Sequence, residues 1–215
     1  MFFQSMVINL PIITHEDELE LAKTEQELVK QIKKLCRAQT SLIQSQQKYA
    51  ENLTKANLVR EMLNRTYRDV IKQMQTLVRE KRSNIKDEEV NLFQSIIHQN
   101  DTYIESAKKY IDAIKNLTLK KEYFIEKKEA FADSLNDVAQ RRSTVIKKAL
   151  SVEKKKNDLI EGEKMKILET ELNDIQREFD RARDVMIKSL NQFIQERDEV
   201  DNLWMKLKDS VSKMS

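Results

Sequence analysis

The sequence predicts an all-α protein, an elongated antiparallel coiled coil of three long helices. Two observations carry that expectation. The first is composition: 215 residues hold one Gly and one Pro, with 35% charged and 40% apolar residues. Ordinary domains use about 7% Gly and 5% Pro, and tight turns depend on both. A chain almost without them makes few turns, so its elements are long. A sheet protein needs more turns, and a disordered chain holds fewer large aliphatic residues. The second observation is periodicity. Apolar residues recur every seven positions in three separate stretches, which is the spacing of a helix seam.

The first stretch gives a helix over about 14–82. Leu28, Leu35, Leu42, Tyr49, Ala56, Leu63, Val70 and Leu77 form one heptad series. Ile32, Leu53, Tyr67 and Met74 form its companion, interrupted by Gln39, Gln46 and Arg60. Thr14 is placed to cap this helix, with Asp17 at the capping-box spacing behind Pro11. Residues 1–13 form a short apolar lead with Phe2, Phe3, Met6, Val7 and Leu10. They include no basic residue, so packing on the bundle, or a ragged start to the domain, is expected rather than insertion into lipid. A turn is expected near Arg82–Glu89, where Ser83 or Asn84 can cap and Asp87, Glu88 and Glu89 suit the positive end of a helix dipole. One helix continuing through that point is the alternative.

The second helix is expected over about 86–157. Ile96, Tyr103, Tyr110, Leu117, Phe124, Phe131, Val138, Val145 and Val152 are consecutive heptad positions. Beside them run Ile97, Ile104, Ile111, Ile125, Ala132, Ala139 and Ile146, with Thr118 as the polar member. Two adjacent columns make a broad stripe that must touch more than one helix, which also suggests a second chain and hence a dimer. The third helix, over about 163–213, carries Leu172, Phe179, Met186, Phe193, Val200 and Leu207, with Trp204 and Val211 extending the pattern. Phe124, Phe131, Phe179, Phe193 and Trp204 are the expected packing anchors. Gly162 falls between the last two helices, where a reversal is expected to use glycine's backbone freedom.

Charge marks one end of this layout. Between Arg141 and Lys166 there are nine basic residues against four acidic, a surplus of five, while the whole chain is only +3. Anionic membrane surfaces reward each nearby Lys or Arg by about 1 kcal/mol. Lysines on long helices are also commonly solvated partners of Glu.

The stretch Phe193-Ile194-Gln195-Glu196-Arg197-Asp198 resembles the Phe-x-x-Glu-Arg segment near the end of sorting-nexin BAR domains, and the charged turn between Val152 and Lys166 falls where that family turns at its tip. The likeness spans the layout of the chain but only some 40 residues in motif. It implies a crescent-shaped dimer, with an identical chain or another BAR protein, that binds curved anionic phospholipid membrane through its tips and concave face. It further implies a cytoplasmic protein, peripheral on endosomal membranes, that senses or tubulates them in protein transport. The candidate membrane-binding residues are Lys147, Lys148, Lys154, Lys155 and Lys156, with Arg141 and Arg142 second. Lys120, Lys121, Lys127 and Lys128 are candidates for the concave face. Sorting nexins of this class also carry a phosphoinositide-binding PX domain, which these residues do not include.

No enzyme, cofactor or metal is expected. His15 and His98 are the only histidines, and there is no Cys-x-x-Cys, His-Glu-x-x-His or glycine-rich phosphate loop. Cys36 is expected to pack in a seam, and a lone cysteine fits a reducing compartment. Nucleic acid is not an expected partner, since aromatics are not interleaved with the basic cluster. The rival reading is a structural coiled-coil or tethering protein, spectrin-like, that never meets lipid.

Overall fold

A computed structural model describes residues 14–80, 86–157 and 162–212. The lead segment, the Ser83 and Asn84 caps and the residues 158–161 before Gly162 lie outside the described residues. Three α-helices make up the rest: α1, His15–Arg79; α2, Asp87–Asn157; and α3, Gly162–Ser212. The described residues contain no strand.

The start of α1 is the capping box read from the sequence. The Asp17 backbone N–H donates to Thr14 Oγ1 at 3.1 Å, and the Thr14 N–H donates to Asp17 Oδ2 at 2.9 Å. These bonds to its ionised form hold the Asp17 carboxyl below its ordinary pKa. The helix ends at Arg79, and α2 is a separate helix rather than its continuation. At the start of α2 the Lys86 N–H donates to Glu89 Oε2 at 3.3 Å, so a glutamate three residues on reaches back to the residue before the helix.

Gly162 departs from expectation. It is the first residue of α3, its φ lies outside the left-handed region, and a Cβ there would meet nothing within 4 Å. Gly162 itself therefore does not occupy a backbone state reserved for glycine.

The chain divides into two compact units, each drawing on all three helices. The first comprises Met1–Arg37 and Glu126–Ile194. Its core holds Val29 of α1 against Ala132 and Leu135 of α2, with Met186 of α3 alongside, and Val138 against Phe179 and Ala182. Phe131 and Phe193 stack with ring centroids 5.9 Å apart. Polar contacts along its flanks keep the same order. Lys33 meets Asp133 at 2.7 Å, and the Ser134 and Ser189 hydroxyls lie 3.1 Å apart.

The second unit comprises Ala38–Ile125 and Gln195–Ser215. One cluster joins Ala50, Ile114, Leu117 and Leu207, so all three helices contribute. The other, Ile71, Val90 and Ile97 with Tyr67, Met74 and Phe93, contains residues of α1 and α2 only. In both units contacts move down α2 as they move up α1, so the two helices are antiparallel.

The seam of α1 is displaced by one residue from the sequence reading. Leu28, Leu35, Leu42, Tyr49 and Leu63, expected inside, are about half exposed. The buried series is Ala22, Val29, Cys36, Ile43, Ala50, Asn57, Asn64 and Ile71. It is also a perfect heptad, and its residues are smaller. Ala, Cys and Val let the α1 backbone lie close to the facing column of α2, including Ala132 and Ala139. A leucine series there would hold the helices apart. On α2 the companion column of isoleucines and alanines is buried throughout, while the aromatic column is mostly half-buried, with Tyr103 half exposed. The buried Thr118 donates its hydroxyl proton to the carbonyls of Ile114 or Lys115, at 3.0 and 2.8 Å, within its own helix. The α3 stripe faces inward at Phe179 and Leu207. Trp204, expected as an anchor, is 51% exposed, with the Lys121 ammonium 5.4 Å from its ring centroid.

Candidate functional site

The basic residues at the end of α2 and the start of α3 all belong to the first unit. Geometry sorts them into two groups. Arg142 belongs to the interior. Its guanidinium grips Glu25 with two bonds of 3.1 and 3.0 Å and donates a third to Glu18 at 2.9 Å. It also lies 5.3 Å from the centroid of the Phe179 ring. Only 16% of its side chain is exposed. Burial opposes its charge, but the bonds to both carboxylates outweigh that and push its pKa further up. Arg141 is pinned on one side by Asp137 and on the other by Glu178, the latter at 2.7 Å.

Lys148 is hydrogen-bonded to Glu171 of α3, which holds that carboxyl below its ordinary pKa. Lys156 pairs with Glu169 at 3.0 Å. At the same end His15 meets Glu153 at 3.1 Å. These contacts fasten α1, α2 and α3 to one another.

The second group makes no ion pair among the described residues. Lys147, Lys154 and Lys155 of α2 belong to it, as do Lys164 and Lys166 of α3. All but Lys155 are well exposed. Lys164 and Lys166 belong to the basic surplus but lie outside the set of candidates that the sequence points to. The signal that finds them is spatial. Lys148–Glu171 and Lys156–Glu169 bring the start of α3 alongside the end of α2.

The candidates for a concave face are more committed. In the second unit, Lys120 pairs with Glu199 at 2.6 Å and sits 3.8 Å from Glu196. Lys121 donates to Gln46 Oε1 at 3.2 Å, and burial pushes its pKa down. In the first unit Lys128 is buried near Cys36, with its ammonium 6.0 Å from the Phe193 centroid. Lys127 has a partner as well.

A cleft of about 480 Å³ in the first unit is lined by His15, Glu18, Arg142, Phe179 and Arg183. Its central guanidinium is already bound to two carboxylates, so it offers little to an anionic ligand. Among the described residues no group of His, Cys, Asp or Glu is placed to hold a metal ion, and no helix is long and apolar enough to cross a membrane. The chain matches no family model, no curated protein and no solved structure at a significant level.

Proposed function

We propose that this helical bundle is a scaffold that binds anionic membrane through the lysines at the junction of α2 and α3. The single observation that carries the reading is the set Lys147, Lys154, Lys155, Lys164 and Lys166, none of which makes an ion pair among the described residues, although the Lys155 charge helps to hold the Glu171 carboxyl down, while Lys148, Lys156, Arg141 and Arg142 are all paired. Unpaired ammonium groups at about 1 kcal/mol each give reversible attachment, weakened by salt. The finer reading follows the sorting-nexin BAR resemblance: a dimer, with an identical or related chain, that senses or shapes curved endosomal membrane from the cytoplasmic side. A BAR-type scaffold needs no catalytic residue, cofactor or nucleic acid. The second reading is a coiled-coil tether without lipid contact, favoured by the number of lysines already paired with glutamate.

Co-sedimentation with phosphatidylserine-containing vesicles separates the two. Binding is expected to fall as salt rises and to be lost in the Lys147→Glu, Lys154→Glu, Lys155→Glu triple variant. Arg142→Lys, which leaves the exposed lysines untouched, is expected to bind as the parent does. Absence of binding, or binding indifferent to the triple variant, selects the tether.

A further inference from the structure

The displaced seam leaves α1 with a second apolar face. In the second unit this face includes Leu42, Tyr49, Val59, Met62, Leu63 and Leu77, with Val59 66% and Met62 65% exposed. Taken at alternating steps of three and four from Leu42 to Leu77, α1 shows no charged residue at any position, although the helix as a whole is heavily charged. That 3–4 alternation is the pattern of a coiled-coil seam. The buried series is a different one, one residue on, so α1 carries two seams and the chain itself fills only one.

We propose that this outward face of α1 binds the same face of a second copy, with the two helices antiparallel. The flanking charges choose the direction. With the two-fold axis between Asn57 and Leu58, Ala56 faces Val59 of the other copy and Tyr49 faces Thr66. The edge position Lys48 then falls beside Asp69 of the second copy, at both ends of the contact. Within one chain Asp69 has only an exposed contact with Lys72 at 3.7 Å, and Lys48 makes no ion pair among the described residues. A parallel arrangement in register would bring each charge level with its own copy. Small Ala56 and Val59 at the axis permit close approach, and the larger side chains lie outward from them.

The area is adequate. Six large apolar side chains roughly half exposed leave on the order of 500 Å² on each copy, so the pair approaches the roughly 1,000 Å² at which specific interfaces begin. The absence of charge along the seam matches the depletion of charged residues found at interface centres. The proposal rests on the dimer in the functional reading and not on its lipid binding.

Sedimentation equilibrium of the full chain without lipid tests it. The parent is expected to show twice the 25.5 kDa chain mass. The Val59→Glu, Leu63→Glu variant alters only exposed positions. It is expected to keep its helical circular dichroism while self-association weakens about 100-fold. Direction is tested by charge exchange. Lys48→Asp and Asp69→Lys are each expected to weaken the dimer, and the double exchange to restore it. A monomeric parent, or a dimer unaffected by the two glutamates, overturns the proposal; failure of the double exchange to rescue overturns the antiparallel register. Loss of vesicle binding with the dimer intact would sink the membrane reading and leave this one standing.

Discussion

Arg142 and Lys128 are both cations withdrawn from water, and their surroundings treat them differently. Arg142 has three bonds to two carboxylates that are themselves partly covered. Removing it leaves Glu18 and Glu25 without their counter-charge, so Arg142→Ala is expected to destabilise the protein by about 2–4 kcal/mol, read as a lower urea midpoint. At Lys128 burial outweighs the contacts that favour its charge and pushes its pKa down. In the unfolded chain a lysine keeps its proton to about pH 10.4. Between the lowered folded value and that one, the unfolded state holds more protons, so stability rises with pH. Burial pushes the Cys36 thiol up, so its contribution falls as pH rises past the ordinary thiol range. In a Cys36→Ala background the opposing thiol contribution is gone, and the rise toward pH 10 is expected to come from Lys128 together with Lys121, whose pKa burial also lowers. Lys128→Met is expected to reduce it, leaving the Lys121 part, and to raise stability at neutral pH by about 1 kcal/mol, both measurable by urea denaturation across pH.

At the scale of helices, the α1–α2 pair in the second unit contains a polar layer inside an apolar seam. Asn64, 1% exposed, donates to the Ile97 carbonyl at 3.4 Å and to Asp101 Oδ1 at 2.9 Å, and accepts from Asn100 at 2.9 Å. One turn pair away, the buried Asn57 donates to the Ile104 carbonyl at 3.2 Å. Arg68 closes the network on Asp101 at 2.6 Å. Polar residues at seam positions fix register at a cost in stability. Asn64→Ala strands the Asn100 amide and is expected to cost about 2 kcal/mol, seen as a lower thermal midpoint. Helix number and periodicity were legible because composition forbade turns and the heptads were long. The face of α1 was not, because two heptad series run side by side and hydrophobicity favours the leucines. The smaller series lies inside because close backbone approach rewards Ala22, Cys36 and Ala50, a preference visible only once α2 is set against it. Asn57 and Asn64 were overlooked for the same reason: a buried asparagine looks polar until its carbonyl partner is in place.

At the scale of the whole molecule, the modest net charge of +3 conceals how unevenly that charge is neutralised. The basic surplus near Gly162 could be counted from the sequence. Which lysines remain available could not, because Glu169, Glu171 and Glu178 arrive from another helix, and Glu18 and Glu25 from more than a hundred positions away. Pairing removes Lys148, Lys156, Arg141 and Arg142 from the candidate surface and brings in Lys164 and Lys166. If lipid binding is electrostatic, its salt dependence should follow the number of available lysines rather than the total, so the triple glutamate variant should flatten the response where Lys156→Gln barely changes it.

Glu18 and Glu25, the two carboxylates held by Arg142, stand seven residues apart, one full repeat of the helix seam. A long periodic helix can slide by that interval and bring like against like almost everywhere along its length. Slide α1 so that Glu25 takes the place of Glu18, and Ile32 arrives where the forked guanidinium demands an acid. The clamp thus acts as a vernier: it counts heptads, and it permits only one alignment of the buried α1 series with its neighbour.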